Sequence, residues 1–124
     1  MVAGVVRAAL PSPAFSLEWM HSIEHTRWEE HYRVRGDRIE VTSARIEGMG
    51  AGMDPGPNAR FDGSGWTWKP ALAPLAEFAL TLSPYAEDYR LCAGARCRSL
   101  YQWTGVAPGT TAIVVIRPCG AAKS

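Results

Sequence analysis

The chain has 124 residues, enough for one compact domain with a core of its own and too few for two. Thirteen basic against twelve acidic residues leave a formal charge of +1, which excludes the broad positive field that nucleic acid or an anionic membrane would need. With 47% hydrophobic residues, 10% aromatic residues, twelve Gly and nine Pro, the composition is that of a folded protein rich in turns.

Met1 to Pro13 is an apolar start interrupted by Arg7 and too short for a complete export signal. It is expected to be a flexible N-terminal segment, the remnant of such a signal. No apolar run approaches the roughly 20 residues that a membrane-spanning helix requires. From Ala14 to Ser124 the expectation is a single all-β domain. Segments of β-formers recur about every eight to twelve residues, separated by turn chemistry such as Asp54-Pro55-Gly56-Pro57-Asn58 and Asp62-Gly63-Ser64-Gly65. That spacing predicts a small antiparallel sandwich or open barrel of about seven to nine strands.

The first predicted strand is Ala14 to Ile23, with Phe15, Leu17, Trp19 and Ile23 apolar at odd positions. The second is Thr26 to Arg35, where Trp28, Tyr32 and Val34 are apolar at even positions. Such a parity flip requires an extra residue or a turn, so a β-bulge or tight bend is expected at Glu24-His25-Thr26. A hairpin looped at Glu24-His25 satisfies the same parity and would pair Trp19 with Glu30, but that loop lacks Gly or Asn and ranks second. Either geometry places His21, Trp28 and Glu30 on the inner face.

The same stretch contains His21-Ser22-Ile23-Glu24-His25, which matches a zinc-protease string. That chemistry needs His21 and His25 one helical turn apart, with Glu24 as general base and a further ligand downstream. In a strand the two histidines stand about 13 Å apart and cannot share an ion without a sharp bend. A metal-dependent hydrolase using His21, Glu24 and His25 is therefore the alternative reading. No metal or other cofactor is expected, and no catalytic set is assigned.

A hairpin across Gly36-Asp37 joins the second strand to the third, Arg38 to Glu47, because a Gly-first two-residue loop suits a type II′ turn. Its register pairs Val34 with Ile39 and Tyr32 with Val41. Continued, that register sets Glu30 opposite Ser43 and Trp28 opposite Arg45, so an inward Glu30 would be compensated by an ion pair with Arg45 one diagonal step away. Gly48-Met49-Gly50-Ala51-Gly52-Met53 follows. It lacks the Lys-Ser/Thr of a phosphate loop and reads as a close backbone approach or adaptable rim carrying Met49, Gly50 and Met53.

Further strands are expected at Gly65 to Lys69, Glu77 to Leu82, Tyr89 to Cys92, Arg96 to Gln102 and Thr111 to Arg117. Trp66 and Trp68 share a face by period two and read as sheet packing ahead of a stacking platform. Cys92 and Cys97 bracket a four-residue loop that could set them opposite each other as a cross-strand disulfide, the alternative being two semi-buried thiols. Cys119 leaves an odd third cysteine.

Taken in order, Trp19-x-His21-Ser22-Ile23-Glu24-x-Thr26-x-Trp28-x-Glu30-x-Tyr32, Gly48-x-Gly50-Ala51-Gly52-Met53, Ser83-Pro84-Tyr85, Leu91-Cys92, Arg96-Cys97 and Arg117-Pro118-Cys119 resemble the bacterial family called domain of unknown function 1850. The resemblance covers nearly the whole chain. It implies a small exported, periplasmic or extracytoplasmic protein whose gene neighbours the membrane component of TRAP-type transporters of the TAXI class. It implies no activity, and His25 stands outside its motif. The expected function is a non-enzymatic accessory or binding module for such a transporter's membrane component, its substrate-binding protein or a small organic ligand; a purely structural subunit is the other alternative. Its binding residues would be His21, Glu24, Thr26, Trp28, Glu30, Arg45, Met49, Gly50 and Met53.

Overall fold

The computed structural model describes residues 9–20, 26–48, 58–83 and 89–118. His21, Glu24, His25, Met49, Gly50, Met53 and Cys119, singled out above, lie outside them.

Two antiparallel sheets make up the fold, as the alternating pattern predicts. The strands are β1 (Ala14–Met20), β2 (Arg27–Arg35), β3 (Arg38–Glu47), β4 (Arg60–Phe61), β5 (Gly65–Trp68), β6 (Phe78–Leu82), β7 (Arg90–Ala93), β8 (Arg96–Ser99) and β9 (Ala112–Ile116), with one short helix, α1 (Leu100–Thr104), after β8. Seven strands form the larger sheet in the order β4-β5-β3-β2-β1-β7-β8, and β6 pairs with β9 in the smaller. Among the described residues no helix is long and apolar enough to cross a membrane.

The core lies between the sheets because each strand presents its apolar residues at period two. Phe15 and Leu17 of β1, Tyr32 of β2, Ile39 and Val41 of β3, and Leu91 and Ala93 of β7 are buried together with Leu82 and Leu100. Phe78, Leu80, Val114 and Ile116 of the smaller sheet pack against them. Burying a Leu or Ile side chain contributes roughly 1.5–3 kcal/mol, so Leu17, Ile39, Leu82, Leu91 and Leu100, none more than 2% exposed, account for much of the stability. Tyr32 is held between Phe15 and Phe78, each ring centroid 5.0 Å from its own.

The hairpin at Gly36-Asp37 forms with the expected pairs, Val34 with Ile39 and Tyr32 with Val41. Gly36 takes φ 59°, the left-handed value that a primed hairpin turn demands. Beyond those pairs the register shifts: Tyr32 faces Val41 but His31 faces Ser43, so Thr42 is an extra residue in β3. Thr42 Oγ1 donates to the His31 carbonyl at 3.1 Å across the irregularity. A bulge therefore sits in β3, whereas the bend expected at Glu24-His25-Thr26 falls on a segment whose residues 21–25 lie outside the described ones. β1 and β2 pair antiparallel in a register that sets Trp19 opposite Trp28, not opposite Glu30.

Two local elements depart from the expected strand map. The strand predicted through Gln102 stops at Ser99, which caps α1: Ser99 Oγ accepts from the Gln102 N–H at 3.2 Å, and Gln102 Oε1 accepts from the Ser99 N–H at 3.1 Å. This capping box outweighs the strand preference of Leu100 and Tyr101. Trp103 Nε1 then donates to the Leu91 carbonyl at 2.8 Å and ties α1 to β7. The two-residue β4 was not expected. Ahead of β1, Leu10 packs against the core, and the Pro13 carbonyl accepts from the Val34 N–H at 2.8 Å.

Candidate functional site

Antiparallel pairing aligns an aromatic row across the inner face of the larger sheet. Trp19 faces Trp28, Trp28 faces Ile46, Ile46 faces Trp66, and Trp66 faces Phe61. Directly paired residues share a face, so these side chains stand on one surface. The Trp19 and Trp28 rings stack with centroids 6.0 Å apart, Tyr89 lies 5.6 Å from Trp19, and Phe61 lies 5.2 Å from Trp66. Ile46 is fully covered, whereas Trp19, Trp28, Trp66 and Tyr89 are only half-buried.

One step further along the strands, the next row is Leu17, Glu30, Ala44 and Trp68. Glu30 is the carboxylate of that row, half-buried and flanked by the buried Leu17 and Ala44. The Tyr32 hydroxyl, two residues along on the same face, donates to Glu30 Oε1. Burial first, and that hydrogen bond second, push the Tyr32 phenol well above its ordinary range, so it remains a neutral donor. A fixed donor thus orients the carboxylate, leaving its remaining acceptor capacity beside the tryptophan faces.

Arg45 is not part of this arrangement. Because Thr42 shifts the register, Arg45 pairs with Glu29 and Thr67 on the opposite, outer face. The expected Glu30–Arg45 ion pair is replaced by one to Asp62: Arg45 Nη1 lies 2.5 Å from Asp62 Oδ2, and Nη2 donates to Ser64 Oγ at 2.8 Å. Asp62 Oδ1 also accepts from the backbone N–H groups of Ser64 and Gly65, each at 2.9 Å. The Arg45 guanidinium first, and those N–H groups with it, hold the Asp62 carboxyl well below the usual carboxylate range, while Asp62 in turn raises the guanidinium pKa. This network fastens the β4–β5 turn and is architectural.

Of the other expected binding residues, Trp28 and Glu30 belong to the inner-face site, and Thr26 immediately precedes β2, six residues after Met20 ends β1. Period-two reasoning that singled out Trp28 and Glu30 also applies to Trp19, Tyr32 and Trp66, which were left out of the expected binding set. Tyr89 had no such signal, since its approach to Trp19 depends on β7 pairing with β1.

The outer face carries different chemistry. An open groove of about 370 Å³ there is lined by Ser16, His31, Arg33, Thr42, Cys92 and Gly94, among others. His31 Nε2 lies 2.8 Å from Glu29 Oε2 at its side. The Cys92–Cys97 disulfide forms at the rim, between directly paired residues whose Cα atoms are 4.0 Å apart. Among the described residues no group of three His, Cys, Asp or Glu side chains is placed to hold a metal ion.

Residues 15–100 match the family described as Domain of unknown function (DUF1850), and the chain belongs to that family. No curated protein and no solved structure matches the chain.

Proposed function

We propose that this protein is a non-catalytic binding module whose site is the aromatic row and Glu30 on the inner face of the larger sheet. The observation carrying this reading is the meeting of half-buried Trp19, Trp28 and Tyr89 beside a carboxylate that, among the described residues, accepts from the Tyr32 hydroxyl. Such a surface suits a group that both stacks on aromatic faces and donates hydrogen bonds, such as an ammonium or guanidinium. The site would take that group from a partner protein or a small organic ligand.

The setting we propose is outside the cytoplasm, beside a TRAP-type transporter of the TAXI class, with its membrane component or substrate-binding protein as partner. The motif resemblance described above supports this, and so does the Cys92–Cys97 disulfide, a bond at home in oxidising compartments. The test is capture of the transporter's membrane component and its substrate-binding protein by the purified protein, followed through tryptophan fluorescence. Glu30→Gln, which keeps an acceptor for Tyr32, should weaken capture about tenfold with little change in thermal midpoint. Unchanged capture together with a large fall in midpoint would show that Glu30 serves the fold alone.

A further inference from the structure

Charge is distributed unevenly along this nearly neutral chain. All twelve acidic residues lie at or before Asp88, whereas Arg90, Arg96, Arg98, Arg117 and Lys123 follow it with no acidic residue among them. Two of these arginines stand on β8, the last strand of the larger sheet, and no strand among the described residues covers its far side. Arg96 and Arg98 are exposed and form no ion pair among the described residues; Arg98 rests over the Trp103 ring at 5.4 Å. Their direct partners on β7 are Ala93 and Leu91, so no carboxylate opposes them. Arg90 differs, since it stands opposite Glu18 on the other face.

The hydrogen-bonding phase of β8 shows which backbone groups are open. The Leu100 N–H donates to the Tyr89 carbonyl at 3.1 Å, and bonded pairs alternate along an antiparallel ladder. Arg98–Leu91 and Arg96–Ala93 therefore turn their N–H and C=O groups toward β7, while those of Cys97 point away from the sheet. Cys97 is covalently fixed to Cys92, so this edge is held in place before any partner arrives.

From this geometry we infer that the β8 edge receives an extended acidic peptide segment as an added strand. The peptide residue opposite Cys97 exchanges both backbone hydrogen bonds with it. The residues on either side of that one present carboxylates to Arg96 and Arg98, which defines the pattern acid-x-acid. A second copy of this chain is a poor occupant: antiparallel pairing centred on Cys97 would set Arg96 of each copy against Arg98 of the other. Membrane adsorption fits less well because the arginines flank a strand edge with open hydrogen-bonding groups and do not form a broad basic plane.

Fluorescence anisotropy with labelled Val-Glu-Val-Glu-Val tests the inference on the intact, oxidised protein. Binding should weaken steeply with added salt and fall about tenfold or more when Lys replaces both Glu residues of the peptide. Methylating the nitrogen of the central Val, which removes the hydrogen bond to Cys97, should also abolish most of the binding. An Arg96→Glu/Arg98→Glu variant should lose the acidic peptide and gain the Lys peptide; that exchange shows at the same time that the variant is folded. Equal affinity for the N-methylated peptide would overturn strand addition. Failure of the peptide combined with Arg96- and Arg98-dependent sedimentation on phosphatidylserine vesicles would assign the edge to a membrane and overturn the inference.

Discussion

Tyr32→Phe isolates the contact that orients Glu30. The ring remains between Phe15 and Phe78, so packing is kept and only the buried hydroxyl is removed. At neutral pH, Glu30 loses a donor to its charged form, and the half-buried carboxylate recovers part of that loss from water; the cost should be about 1–2 kcal/mol. At high pH the difference runs the other way. An unfolded tyrosine ionises near pH 10, whereas burial and Glu30 raise the folded phenol far above that. A folded pKa above the unfolded one gives stability that is complete below about pH 10 and is lost as pH rises beyond it. The loss from this one group approaches about 1.4 kcal/mol per pH unit. Tyr32→Phe lacks that slope. Urea unfolding midpoints at neutral pH and at intervals from about pH 9.5 to 11.5, with the denaturant slope unchanged, should show the variant weaker at pH 7 and the gap closing or reversing at high pH. Parallel losses for both proteins above pH 10 would refute a buried, protonated Tyr32.

Gly65→Ala should destabilise the protein by about 1–3 kcal/mol in the same urea assay, because the added Cβ would sit 2.6 Å from the Ile46 carbonyl oxygen, a backbone atom that cannot step aside cheaply. Reducing Cys92–Cys97, or replacing both with Ser, should lower stability by about 2 kcal/mol for so small a closed loop, and thiol titration of the denatured, unreduced monomer should find one reactive sulfur. Asp62 has a folded pKa held below its unfolded value, so its stabilisation is present above about pH 4 and lost as pH falls through the folded value. Thermal midpoints followed from pH 6 down to about pH 2 should therefore drop less steeply in Asp62→Asn than in the parent protein.

Much of the architecture is legible where the physical rule is local. Gly36-Asp37 specifies its hairpin because few residues accept a positive φ, and alternation then aligns Val34 with Ile39 and Tyr32 with Val41. The Cys92–Cys97 pairing follows from the same kind of short-range geometry. The misplacement of Arg45 has an equally local origin. In β3 the apolar residues are Ile39 and Val41, then Ala44 and Ile46, a change from odd to even that marks an extra residue between them. Because Ala44 is small and Arg45 can be read as a partner for Glu30, that shift is easily passed over in favour of an ion pair. Similarly, Ser99-x-x-Gln102 carries a helix-start signature that the β-forming residues around it conceal. The aromatic row was legible only in part, since Trp28 and Trp66 are brought into one line by Ile46 of a strand that lies between them.

The extra residue at Thr42 also lets this strand lose one residue at that point, a change that would turn over the rest of a regular strand. Deleting that one residue while keeping all the others would leave Ser43, Ala44, Arg45 and Ile46 opposite the same β2 partners in an unbroken ladder, with Ala44 and Ile46 still turned toward the hydrophobic layer and Arg45 away from it. Substitutions at position 42 and deletion of Thr42 should therefore both yield folded proteins, whereas deletion of Arg45, which lies in the regular part of the strand, should turn Ile46 away from the core and yield almost none. Here what passes along β3 is a count, and that count decides which face of the sheet each residue meets.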